Sequence, residues 1–297
     1  MKTRNRIGGF AALAAIILHI LPLSAQDESA LQAEQIREML GQLRKQTGTI
    51  ELPSGVAQLE LGKDYYYLGP SDAQTVLVDL WGNMPSNEPI EGMVFPAELS
   101  PLDDEAWAFT IFYTEDGHVD DKDASSIDYA DLLNSMKDDT EQANEWRAES
   151  GYEPVHLIGW ASKPYYDAGN HKLHWAKELR FGDDPDHVLN YNIRMLGRKG
   201  VLEFNFIAGL NQLDEIETKL PSVLQLASFT AGNKYSDFDP SIDKIAAYGI
   251  GGLIAGKVLA KTGIFLKLLL VFKKFWIVAV VGIGAILKRF TGRKANT

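Results

Sequence analysis

Over residues 27–47, Leu31, Ile36, Met39, Leu40 and Leu43 recur at helical spacing, acids come early and Arg44-Lys45 come late. That order complements a helix dipole and predicts a helix stopped at Gly48. Residues 49–52 and 56–61 alternate apolar and polar positions around Pro53-Ser54-Gly55, the pattern of a hairpin, and Tyr65-Tyr66-Tyr67-Leu68 adds a short strand. Pro70-Ser71-Asp72 opens a helix over 73–80 that ends at Trp81-Gly82-Asn83. Strands follow at 92–95 and 106–114, then an acidic loop at 115–123 and a helix over 127–150 closed by Gly151. Four more strands, 155–161, 172–181, 188–197 and 201–208, read as a meander whose last pair turns tightly at Arg198-Lys199-Gly200. Residues 213–229 are helical in pattern, interrupted by Pro221 as the first turn of a second helix. Strands in succession with helices laid on them predict an α+β fold: an antiparallel sheet covered by helices.

The pattern changes at residue 241. Two uncharged runs, 245–256 and 275–287, hold 12 and 13 residues, and lysines punctuate the rest. A straight crossing takes about 20 apolar residues, so neither run suffices alone. Joining 265–287 puts Lys273 and Lys274 mid-span, at about 2.5–3.5 kcal/mol each. At helical spacing Lys257, Lys261, Lys267 and Lys274 share one arc, and Gly252, Gly256 and Ala260 place a small residue every fourth position. We read a C-terminal hydrophobic membrane segment, a Gly-rich hairpin or kinked helix seated partly in the headgroup layer. Ile245, Gly252, Gly256, Phe275, Trp276 and Leu287 are its bilayer residues. The alternative is a buried helical hairpin inside the folded domain.

Charge divides the chain the same way. Of 29 basic and 40 acidic residues, the span 26–240 holds 16 and 39, so it is strongly acidic and excludes a nucleic-acid groove. Lys2, Arg4 and Arg6 precede an uncharged apolar stretch, residues 8–21, and Ser24-Ala25 offers small residues before Gln26-Asp27-Glu28. That is the layout of a signal peptide cleaved after Ala25, with an uncleaved anchor as the alternative. The expected organisation is a signal peptide over 1–25, an exported acidic α+β domain over 26–240 and a membrane-anchoring tail over 241–297. The chain has no cysteine, which removes thiol nucleophiles, thiolate metal sites and disulfides.

Candidate chemistry is sparse. Asp116, His118, Asp120 and Asp121 form the densest set of hard-metal ligands, but Ile127 stands where a calcium loop of the EF-hand type needs Glu. His171 and His174 lie on or beside a strand, where a separation of three sends side chains to opposite faces. Glu178 and Asp167 are carboxylates of the kind that hydrolases pair. Trp160, Trp175 and Tyr191, with Arg194, are expected to meet as a binding platform if the meander strands pair as neighbours; core packing is the alternative use of the same rings. No nucleophile elbow, phosphate loop or zinc-helix motif is present, and no cofactor is expected.

Several short runs together are distinctive: Trp81-Gly82-Asn83, Gly92-Met93-Val94-Phe95-Pro96, Asp116-Gly117-His118-Val119-Asp120-Asp121, Gly159-Trp160-Ala161 and Leu173-His174-Trp175-Ala176. Asn190-Tyr191, Leu196-Gly197-Arg198, Gly232-Asn233-Lys234-Tyr235 and Ala247-Tyr248-Gly249 continue the series. Over roughly residues 48–256 the chain resembles an uncharacterised bacterial family, domain of unknown function 2167, described as membrane-anchored. The resemblance implies location and brings no activity or catalytic residue. The combined expectation is a membrane-anchored cell-envelope protein, its main domain on the periplasmic or extracytoplasmic side, with a binding or structural role. Its expected partners are the lipid bilayer, an envelope protein and a second copy through the Gly-rich tail. The competing readings are an envelope hydrolase using carboxylates, with or without a divalent metal, and a membrane-remodelling protein acting through the tail.

Overall fold

The computed structural model describes residues 25–83 and 85–256. The segment 1–24, the run 257–297 and therefore Phe275, Trp276 and Leu287 lie outside the described residues. Two compact units divide the chain after Gln42. The first contains helix α1 (Ala25–Gln42), whose exposed surface carries an Arg37–Glu34 ion pair and a Gln42–Glu38 hydrogen bond of 3.3 Å one turn apart.

The second unit begins with β1 (Thr49–Glu51), β2 (Ala57–Glu60) and β3 (Tyr65–Leu68). Helix α2 (Pro70–Gln74) continues into a wider π-turn over Thr75–Leu80 and leads to β4 (Ile90–Pro96), β5 (Ala108–Thr114) and β6 (His118–Asp120). Helix α3 (Tyr129–Glu149) precedes β7 (Val155–Asp167), β8 (Lys172–Phe181), β9 (Val188–Leu196) and β10 (Val201–Gly209). Helix α4 (Leu213–Leu226), β11 (Ala227–Phe229), β12 (Ile245–Gly249) and α5 (Ile250–Ala255) complete it.

Seven strands form one antiparallel sheet in the order β3-β4-β5-β10-β9-β8-β7, and β1-β2-β11 form a small second one. The fold is therefore α+β with antiparallel sheets. Period-two alternation gives the large sheet two unlike faces. One carries Phe109, Ile111, Tyr191, Ile193, Phe204 and Phe206, and buries them against Ile216, Leu220 and Val223 of α4 and against Ile50 and Leu59 of the small sheet. Phe109 stacks on Phe204 and Phe206 at 4.7 and 4.9 Å between centroids. The other face carries Asn190, Asn192, Arg194 and Asn205, all buried, and lies on the side of α3, which packs along β7.

Several expectations shift. The first helix stops at Gln42 rather than 47, because Gln46 exchanges both backbone hydrogen bonds with Tyr67 (2.9 and 2.8 Å) and needs an extended chain. Strand β7 continues past Pro164, which falls in a register shift between Ser162 and Tyr165 on an edge strand, where no ladder donor is asked of it. Pro221 lies inside α4 rather than starting a second helix; it and Glu217, whose carbonyl it leaves unpaired, are both exposed to water. The loop expected at 115–123 contains β6, paired in parallel with β12. Residues 245–256, read as the root of the membrane tail, fold into this unit: Ile250, Ile254 and Ala255 are buried, and Asp243 pairs with Arg198 at 2.7 Å. No helix among the described residues is long and apolar enough to cross a membrane.

Candidate functional site

The polar face of the sheet is built by strand register. Trp175 stands opposite Asn192, and Asn192 opposite Asn205; Arg194 stands opposite Glu203. These side chains therefore share one face across β8, β9 and β10. Helix α5 and α3 leave a cavity of about 60 Å³ above them, lined by Trp175, Lys177, Asn192, Arg194 and Glu203, by Thr140 of α3, by Asp116 and Tyr248, and by Gly252, Leu253, Ile254 and Gly256.

Arg194 organises the floor. Its guanidinium donates to Asn205 Oδ1 (2.8 Å) and to the Ile193 carbonyl (3.0 Å), and pairs with Glu203 Oε2 at 3.0 Å. It lies 5.1 Å from the Trp175 ring centroid, a cation–π contact. Burial pulls the Arg194 guanidinium below its ordinary range, and Glu203 pulls the other way. Glu203 Oε1 also accepts from Thr114 Oγ1 at 2.8 Å, and Tyr248 Oη donates to Asp116 Oδ2 at 3.2 Å. Burial, then the Asp116 carboxylate, pushes the Tyr248 phenol up.

Lys177 differs from its neighbours. It is part-buried by area, yet burial of the ammonium, followed by repulsion from Arg194, brings it down to about 8. Among the described residues no carboxylate offsets that shift. The indole N–H of Trp175 and the side-chain amide nitrogen of Asn205 are buried without a hydrogen-bond partner.

Helix α5 is held over the cavity by Asp123, whose carboxylate accepts from the Ile250 and Gly251 amides at 2.9 and 3.1 Å. Those amides have no partner within the helix, so the carboxylate does the work of a cap.

The sequence-derived candidates separate. Trp175 and Arg194 meet in the cavity, whereas Tyr191 points to the opposite, apolar face, where it pairs across strands with Ala176 and Phe206 and bonds His174 Nδ1 through its hydroxyl at 2.9 Å. Neighbouring strands do pair as expected; the odd-numbered Tyr191 has the wrong parity on β9 to join Arg194. Trp160 donates to the Tyr129 carbonyl of α3 at 3.2 Å and is not among the cavity residues.

Asp116, His118, Asp120 and Asp121 do not converge. Asp116 takes Tyr248, Asp120 takes Lys122 Nζ (2.7 Å), and Asp121 accepts from Tyr166 Oη (2.6 Å). His118 lies between the rings of Phe238 and Tyr235, at 3.9 and 4.2 Å, and burial lowers its imidazole. No three His, Asp or Glu side chains among the described residues are placed to hold a metal ion. Glu178 and Asp167 are likewise committed elsewhere, to His187 (2.5 Å) and to the turn amide of Gly169 (2.9 Å). Ile245 is exposed on β12, Gly252 faces the cavity, and Gly256 ends α5 in the left-handed conformation at φ 65°.

Reading the sequence missed Lys177, Asn205, Glu203 and Tyr248. One signal was available: Asn190, Asn192 and Arg194 alternate along β9, a strand buried throughout. Polar side chains at every second position of a doubly buried strand mark a wet or ligand-holding face.

The family model described as "Protein of unknown function (DUF2167)" matches residues 44–284. The chain belongs to this family. For the DUF2167 chain, the matched span takes in all three sheets of the described residues, every cavity residue and most of the apolar tail. A comparison with curated proteins finds no match. Among solved structures, the solution structure of PsbP (CyanoP) from Synechocystis sp. PCC 6803 is similar at 10% identity, covering 63% of this chain and 92% of that one with a TM-score of 0.35. No function transfers at that distance.

Proposed function

We propose that this DUF2167 member is an exported, membrane-attached binding protein whose ligand site is the cavity between the large sheet and α5. One observation carries the reading: a cavity opens over the polar groups of the buried face, and two groups of that face, the Trp175 indole N–H and the Asn205 amide, are buried without partners. A core with no binding role closes such groups, because an unmade buried hydrogen bond costs about 1–3 kcal/mol. Export and attachment rest on the basic and apolar segment of residues 1–25 and on the lysine-punctuated tail. The wall of the cavity, α5, ends at Gly256, where the rest of that tail begins, so site and anchor are consecutive in the chain. An envelope-protein partner and self-association through the tail belong to the same proposal.

The test is a thermal-unfolding screen of the full chain in neutral detergent against small carboxylates, phosphates and neutral polyols. A genuine ligand at about 100-fold its Kd adds about 2.7 kcal/mol, or roughly 5–10 °C for a domain of this size. Leu253→Trp, which fills the cavity from a half-buried position, abolishes the shift while leaving the unliganded protein folded. A compound that stabilises Leu253→Trp as well as the native chain binds elsewhere and removes the reading.

A further inference from the structure

The cavity's bonding sorts its polar groups by type. Both Glu203 oxygens are engaged, Oε2 by Arg194 and Oε1 by Thr114, Asp116 Oδ2 accepts from Tyr248, and Asn205 Oδ1 on the same sheet face accepts from Arg194. The buried side-chain groups of this face left without a partner are donors. The Trp175 indole N–H and the Asn205 amide are buried and unpartnered, on residues 1% and 3% exposed. The Lys177 ammonium lines the same space, and among the described residues no carboxylate faces it closely enough to offset its burial.

We propose that the cavity holds the oxygens of a single anionic group, a carboxylate or a phosphate, with Lys177 as its charge partner and the Trp175 indole N–H as a second donor. The proposal rests on the cavity being a ligand site and names the chemistry of its ligand. A part-buried cation without a counter-charge and an unpaired buried N–H are both costly, and an anionic oxygen satisfies both with charge-assisted bonds. The charged groups facing the space are Lys177, Arg194, Asp116 and Glu203. Both Glu203 oxygens and Asp116 Oδ2 are held by other donors, no carboxylate among the described residues pairs with the ammonium, and Arg194 adds a second positive charge across the floor. A volume of about 60 Å³ is far below the roughly 300–1,000 Å³ of a site that encloses a drug-sized molecule. It suits an anionic end group of a few heavy atoms. Such a group can belong to a free anion or to a lipid headgroup, and the two share the chemistry recognised here.

The experiment follows the Trp175 indole N–H resonance of the full chain in neutral detergent micelles, assigned by its loss in Trp175→Phe. The probes are inorganic phosphate, acetate, glycerol, sodium chloride at matched ionic strength, and phosphatidylglycerol or phosphatidylcholine added to the micelles. The expected result is a saturable shift with phosphate or acetate and none with glycerol or salt. Lys177→Met weakens that binding by at least about tenfold, and Lys177→Arg retains most of it. A shift produced by phosphatidylglycerol but not by phosphatidylcholine identifies a lipid source; a shift confined to the soluble anions identifies a free one; either supports the proposal. If glycerol shifts the resonance as acetate does and Lys177→Met binds both unchanged, the cavity is a site but not an anion site, and this inference falls alone. If no probe moves the resonance, water fills the cavity, and this inference falls together with the reading beneath it.

Discussion

Lys177 couples stability and binding with opposite signs. Its ammonium falls from an ordinary 10.5 to about 8 in the fold, first through burial and then through Arg194. Between those values the unfolded chain binds a proton that the folded chain has released. The fold therefore gains stability as pH rises through this window, and below it the full penalty remains. Without anion, Lys177→Met raises the urea midpoint at pH 7.5 and removes the gain between pH 7.5 and 9.5; a lower midpoint at pH 7.5 would mean that the lysine already has a partner. Gly92 shows the other kind of residue-scale constraint. It has φ 144°, and a Cβ there would lie 2.1 Å from Tyr67 Cε2, within a ring whose hydroxyl bonds the Glu91 carbonyl. Gly92→Ala is expected to cost about 2–3 kcal/mol in chemical denaturation, because the ring has no free direction to move. At this scale the sequence was half legible. Trp175 and Arg194 were recognised as candidates from residue type, but only register could say that Tyr191 faces away from them and that Lys177 stands with them.

Among the elements, helices and long strands were read with the right type because many residues repeat one period. Strands β6, β11 and β12 were not, because three to five residues are too few to display an alternation. Their pairing comes from edges that distant segments leave open, as when β6 accepts β12 across more than 120 positions. Helix α5 depends on the same kind of contact. It has only six residues and is started by a carboxylate from the loop before α3. Asp123→Ala is expected to lower stability by about 1 kcal/mol, the usual value of a cap, and to speed amide exchange at Ile250 and Gly251 selectively, read by hydrogen exchange. Uniform acceleration across the sheet would instead mean that α5 is not a separately held wall.

For the molecule as a whole, the division into an acidic domain and a basic tail follows from charge, but the place where folding stops does not. Ile250 and Ile254, 0% and 3% exposed, belong to the packed unit although they sit in an apolar, acid-free run. A chain cut after Gly256 is expected to keep these contacts. A chain cut after Pro240 loses two buried isoleucines, worth about 1.5–3 kcal/mol each, and should melt more than about 6 °C lower than the longer one. Equal melting temperatures would place the boundary at residue 240.

The sequence by itself determined the class of the fold, the family, the acidity of the domain and the presence of a lysine-punctuated apolar tail. Each of these depends only on composition, on local period or on runs of neighbouring residues. Tertiary structure alone decided which strand edge takes β12, which side of the sheet each aromatic ring faces, and that the first apolar turn of the tail becomes a cavity wall. Those outcomes depend on which distant groups compete for the same backbone edge and the same volume, and a linear pattern does not contain that competition. The unpartnered donors of Trp175 and Asn205, and the depressed ammonium of Lys177, are therefore visible only after the chain has folded around them.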